Sequence, residues 1–193
     1  MKTTVSIIFA LAIVSAIASP VKVSSFGFDK NNATKCLQAA LDSKHRDLII
    51  DNTGSDWIID PVILRSDKNI VLDENVVIRA RHDGFHGVKD SMFTGKNVSN
   101  ITISGKKNAA IINENDYFNR KVYSQSEWRH TFSLAGCTNV TIKDLKLQGS
   151  GTVYLSGIFH WITDKIRSDF PLEISALRLV FAPAPVRNRL LCL

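Results

Sequence analysis

Three segments of this chain share one design. Asn139-Val140-Thr141-Ile142 matches Asn100-Ile101-Thr102-Ile103, and Asn69-Ile70-Val71-Leu72 is a third copy. Each begins with asparagine and continues with apolar residues in alternation. Each is followed by a second apolar run: Val76-Val77-Ile78, then Ala110-Ile111-Ile112, then Leu145-Lys146-Leu147. Alternation over so few residues reads as a half-buried strand, because successive side chains point to opposite faces. A strand–turn–strand unit of this kind cannot bury its apolar face alone and must stack on copies of itself. Asparagine suits the turns, since it tolerates left-handed backbone, and stacked asparagines bond into a ladder. The expectation is an all-β solenoid of parallel strands, a parallel β-helix. Asn69, Asn100 and Asn139 are expected to stack at one corner.

A length of 193 residues suits one domain. The net charge is +6, but residues 1–18 carry +1 and residues 156–193 carry +2 (five basic, three acidic). The body, 19–155, is therefore only +3, from 18 basic and 15 acidic residues, with no basic stripe. This argues against a nucleic-acid partner. Lys2 followed by an apolar core from Val5 to Ile17 and by Ala16-Ile17-Ala18 is the pattern of a secretory signal peptide. That core is too short for a mature transmembrane helix. The alternative is an uncleaved anchor. The domain plan is a signal peptide at 1–18, a partial β-helix domain at 19–155, and an aberrant or poorly ordered tail at 156–193. The protein is expected to be secreted or periplasmic, with no membrane association after cleavage. An oxidising compartment leaves two readings for Cys36, Cys137 and Cys192: a Cys36–Cys137 bridge, or two buried thiols and a loose tail thiol, the second being preferred.

Val21–Phe28 reads as a first strand. Ala33, Cys36, Leu37, Ala40 and Leu41 then fall at helical spacing on one face, predicting a helix over 33–42 that covers the open end of the solenoid. Gly27-Phe28-Asp29, this helix, Trp57-Ile-Ile-Asp-Pro-Val-Ile-Leu-Arg-Ser66 and Asn69-Ile-Val-Leu-Asp-Glu-Asn-Val-Val-Ile78 form an ordered series. That series resembles the N-terminal part of right-handed parallel β-helix proteins of the pectin lyase-like superfamily, polygalacturonase-like glycoside hydrolases and their relatives in particular. The resemblance covers about 21–155. It implies a right-handed solenoid with an N-terminal capping helix, here truncated after a few rungs. It also implies a carbohydrate-active function with a polysaccharide partner.

Two polar excursions interrupt the strands. Arg81-His82-Asp83-Gly84-Phe85-His86-Gly87 invites a metal reading but is better explained as a glycine-rich surface loop, and no metal site or cofactor is expected. The second, Asn113–His130, is longer than a turn needs, and long loops on rigid scaffolds often carry function. Tyr117 and Trp128 could stack on sugar rings, and Arg129 could hold a carboxylate with two hydrogen bonds. Glu127, Arg129 and His130 are the candidate catalytic residues; Tyr117, Trp128 and Arg129 are the candidate substrate-binding residues. The alternative reading packs these rings onto the solenoid and leaves the charges solvated. Asn32, Asn97, Asn100 and Asn139 begin glycosylation acceptor sequences; for Asn100 and Asn139 the turn-and-ladder role is preferred.

The pattern stops near Gly157. All ten glycines lie at or before it, and of thirteen asparagines only Asn188 follows residue 155. Ile174–Phe181 reads as a short helix ended by Pro183. The family's catalytic motifs are missing: Asn52-Thr53-Gly54 lacks an aspartate, His86-Gly87-Val88-Lys89 lacks a second glycine, and Lys165-Ile166-Arg167 has the wrong order. The expectation is a chain without catalytic activity of its own, with a reading-frame change near codon 150 preferred over a dedicated C-terminal cap. An open end of this kind would invite self-association.

Overall fold

The computed structural model describes residues 19–113, 121–125 and 129–148, together with the backbone strands 153–156, 160–162 and 176–180. In chain order the elements are β1 (Val21–Lys22), a 3-10 turn (Val23–Phe26), α1 (Thr34–Asp42), β2 (Asp47–Ile50), β3 (Trp57–Ile59) and β4 (Val62–Ile63). Next come β5 (Lys68–Leu72), β6 (Val77–Ala80), β7 (Phe93–Lys96), β8 (Ser99–Gly105), β9 (Ala110–Ile112) and β10 (Phe132–Ala135). The last are β11 (Thr138–Lys143), β12 (Lys146–Gln148), β13 (Val153–Ser156), β14 (His160–Ile162) and β15 (Ala176–Val180). The described chain is mostly β, with parallel sheets and one α-helix.

From β2 to β10 every strand pairs in parallel with the strand three places on, so the chain visits three sheets in turn. The first sheet holds β1, β2, β5, β8 and β11, with β15 and β14 added antiparallel beyond β11; the second holds β3, β6, β9 and β12; the third holds β4, β7, β10 and β13. Alternation does what the sequence demands. In β5, Lys68, Ile70 and Leu72 are buried and Asn69 and Val71 are not; β8 buries Ile101 and Ile103, and β11 buries Val140 and Ile142. In the second sheet, Trp57 and Ile78 pair inward, and Ile111 pairs with both Ile78 and Leu147 on the same side. Each fully buried aliphatic side chain contributes about 1.5–3 kcal/mol.

The helix covers the first circuit. Leu37 and Leu41 are 1% exposed, beside Cys36 and Ala40. Its polar face does a second job: the Gln38 amide accepts from Ile63 N–H (2.8 Å) and donates to Ile63 C=O (3.1 Å). One side chain thus replaces a neighbouring strand on β4 and closes that edge. At the helix C-terminus the buried Lys68 ammonium donates to the carbonyls of Ser43 (2.6 Å) and His45 (2.7 Å), where a cation complements the helix dipole. Burial holds the Lys68 pKa below its usual value.

Four readings need correction. Residues 23–26 form a 3-10 turn, so the first strand is only Val21–Lys22. Residues 176–180 are a strand, not a helix, and β15 runs antiparallel to β11. The loop containing Phe85 is not wholly superficial, because Phe85 is 1% exposed. Lastly, Asn69 does not join Asn100 and Asn139. Val62 pairs with Phe93 but Lys68 pairs with Ile101, so the second circuit uses two more residues at this corner than the first. Asp67 takes the place instead. Asn100 Nδ2 donates to Asp67 Oδ1 and Asn139 Nδ2 to Asn100 Oδ1, both at 2.9 Å, and all three residues are left-handed (φ 59°, 57° and 50°). Asn69 Nδ2 donates instead to Asp47 Oδ1 at 2.9 Å.

A second column stands where the chain passes from the first sheet to the second. Asn75, Asn108 and Asp144 are left-handed (φ 59°, 61° and 56°), and Asn108 Nδ2 donates to Asn75 Oδ1 at 2.8 Å. Cys36 and Cys137 are buried free thiols. Burial pushes Cys36 up to about 11, and its Sγ–H donates to Val23 C=O. Residues 1–18 and Cys192 lie outside the described residues. No helix among those described is long and apolar enough to cross a membrane.

Candidate functional site

Both excursions lie at one corner, between the second and third sheets. In the first circuit only Asp60 and Pro61 separate β3 from β4; in the next, residues 81–92 separate β6 from β7, and in the third, residues 113–131 separate β9 from β10. The connection at this corner thus lengthens in sequence from circuit to circuit.

Hydrogen bonds layer the corner from its base. Asp60 receives Asn32 Nδ2 on Oδ2 (2.9 Å) and Arg81 Nε on Oδ1 (2.8 Å). A Cβ at Gly84 would collide with this carboxylate, so glycine lets the first excursion close over it. Gly87 N–H donates to Asp90 Oδ2 at 2.8 Å, and His86 Nε2 lies 3.0 Å from Asp83 Oδ1. Phe85 anchors the loop in the core while His82, Asp83, His86, Gly87, Val88 and Lys89 stay exposed.

Arg129 joins the two excursions. It is 4% exposed, and its guanidinium donates to three backbone carbonyls: Nε to Phe85 (2.7 Å), Nη2 to His86 (3.2 Å) and Nη1 to Ser124 (3.0 Å). Its Cζ lies 5.4 Å from the centre of the Tyr123 ring, and Tyr123 in turn stacks on His86 at 5.0 Å and 26°. Cation–π and charge-assisted hydrogen bonds of this kind fix loops firmly. His130 is 8% exposed; its N–H donates to Ser91 Oγ at 3.3 Å, and its carbonyl accepts from Met92 N–H at 3.0 Å. Burial lowers the His130 pKa, which keeps the imidazole neutral near pH 7.

The corner therefore brings Arg129 and His130 together with His86 and Tyr123. Glu127, Trp128 and Tyr117 lie outside the described residues. Arg129 serves here as a clamp between loops, and His130 sits below the surface. The sequence offers each excursion separately but not their joining. That was recoverable from strand order, since each starts after the second run of its circuit and ends before the third. The described residues hold no group of three or more His, Cys, Asp or Glu side chains suited to a metal ion.

No family model matches the chain, and neither does any curated protein. Its structure is similar to that of a Parabacteroides merdae protein provisionally assigned as a glycosyl hydrolase, with a TM-score of 0.55 and 20% identity, covering 67% of this chain and 64% of that one. At this identity the likeness is one of fold, and the chain spans less than two thirds of its neighbour's length.

Proposed function

We propose that this chain is an exported, carbohydrate-active, right-handed parallel β-helix protein of the pectin lyase-like, polygalacturonase-like kind. It engages a polysaccharide at the corner built by the two excursions and is catalytically incomplete by itself. The carrying observation is the Arg129 clamp, which makes two loops from successive circuits into one preorganised surface. The cyclic strand order and the fold likeness to a provisionally assigned glycosyl hydrolase support the same reading. The alternative, a non-catalytic glycan-binding or surface structural module, is favoured by the burial of Arg129 and His130. A base or a carboxylate-binding cation must reach its substrate.

A polysaccharide panel scored for binding and for release of reducing ends or unsaturated uronate tests both. The expected result is retention on at least one polymer without turnover, weakened on changing His86→Ala. Absence of binding to every polymer refutes the proposal. Turnover that disappears in His130→Ala restores a catalytic role for this chain.

A further inference from the structure

We infer that β15 is a stop strand, inserted into the first sheet where a fifth circuit would begin, and that it closes this end of the solenoid against further strand addition. The register of the last strands supports this. In the third circuit the step at the third sheet (Phe93 to Phe132) is kept at the next first-sheet strand (Ser99 to Thr138), 39 residues in both cases. In the fourth, β13 follows β10 by 21 residues, Phe132 pairing with Val153 and Leu134 with Leu155. The same step carries Val140 of β11 to Trp161 and Thr141 to Ile162, both in β14. By its place in the chain, β14 is therefore the first-sheet strand of a fifth circuit. It does not pair with β11. β15 lies between them, antiparallel to both: Leu179 is opposite Val140 on one side and Trp161 on the other, and Arg178 is opposite Thr141 and Ile162. Thus β14 keeps the level and direction of a fifth-circuit strand but stands about 9.5 Å from β11 instead of about 4.8 Å.

A regular coil cannot continue from there. A further turn would have to rise two strand spacings in the first sheet and one in each of the others, and it would not close. The inserted strand also occupies the edge of β11 and leaves outermost in that sheet a strand of only three residues, His160–Ile162. Outer strands this short are poor templates for another chain. The sequence of β15 fits its register. Leu177 and Leu179 fall opposite Ile142 and Val140, which are buried, and Arg178 falls opposite Thr141, which is not. An out-of-frame tail has no reason to keep that parity, so a dedicated C-terminal cap accounts for residues 176–180 better than a reading-frame change does.

Hydrogen exchange read by mass spectrometry, together with light scattering on the purified chain, tests the closure. The chain should be monomeric, and its segment 176–180 should exchange at least about 100-fold more slowly than the same peptide free in solution. Leu179→Glu should abolish that protection and drive the chain into oligomers through the uncovered edge of β11. Arg178→Glu, one residue away at an outward position, should leave protection within about twofold and the chain monomeric. Leu179→Ala shifts protection in the same direction more mildly and serves if the glutamate variant does not fold. Exchange of 176–180 at the free-peptide rate overturns the inference, as does equal loss of protection in the Arg178 and Leu179 variants. A protected strand in a chain that still polymerises overturns the closing role.

Discussion

The two side-chain columns have a direction, and one of them is built against it. At Asn100, Asn139 and Asn108 alike, Nδ2 donates toward the preceding circuit, so each Oδ1 faces the next. In the first column the acid comes first: Asp67 need only accept, and it receives Asn100 at 2.9 Å. In the second the acid comes last. Counting back from the pair Lys146–Ala110 sets Asp144 level with Asn108, and a carboxylate there would have no proton to offer an Oδ1. Asp144→Asn supplies the missing donor in a backbone that is already left-handed (φ 56°). A net hydrogen bond is worth about 0.5–1.5 kcal/mol, and exposure places this one near the low end. With a urea m-value of about 2 kcal/mol/M, the midpoint should rise by about 0.2–0.5 M. The mirror variant, Asn100→Asp, removes a donor and sets two carboxylates in line. It should lower the midpoint by about 0.5–1 M, from a cost of about 1–2 kcal/mol. Urea titration at neutral pH followed by far-UV circular dichroism reads both. If Asp144→Asn is neutral or destabilising while Asn100→Asp is costly, the directional argument fails; if neither moves, the columns carry no energy.

Leu37→Asp should cost several kcal/mol, because it places an unpaired charge at a position 1% exposed; unchanged thermal unfolding would remove the helix's covering role. His130 gives a pH signature. Its folded pKa is depressed by burial, so the unfolded chain binds the extra proton, and stability falls as pH drops below about 6.5. His130→Gln should flatten that acid limb in a stability–pH series, and an unaltered slope would place His130 in contact with solvent.

Where side-chain parity decides a question, the sequence was enough. Ile70, Leu72, Ile101, Ile103, Val140 and Ile142 point inward as their alternation requires, and Cys36, Leu37, Ala40 and Leu41 line the buried helix face. Register is another matter. A slip of two residues keeps every side chain on its own face, so the pattern around Asn69 is equally consistent with pairing to Asn100 or to Thr102. Only the number of residues at the preceding corner settles it, and corners have no period. The site was legible in part for a related reason. An arginine in a long loop can face a ligand or neighbouring carbonyls, and the choice rests on Phe85 and His86, more than forty residues before Arg129 in sequence. At 176–180 the residues Ala-Leu-Arg-Leu-Val fit a helix on propensity, but they lie along the edge of β11 as a strand.

Gln38 has a consequence for the order in which this molecule comes together. By occupying both backbone groups of Ile63 it makes the N-terminal edge of β4 inert, whereas the opposite edge, completed one circuit at a time, remains receptive. Growth is thereby given a single direction. Each new strand meets its partner only a short way back along the chain, as in Trp57 with Ile78 or Ile101 with Val140, so loop closure stays modest at every step. A ribosome releasing the chain from its N-terminus would deliver segments in the sequence in which the template can accept them. Synthesis and assembly would then run along the same axis.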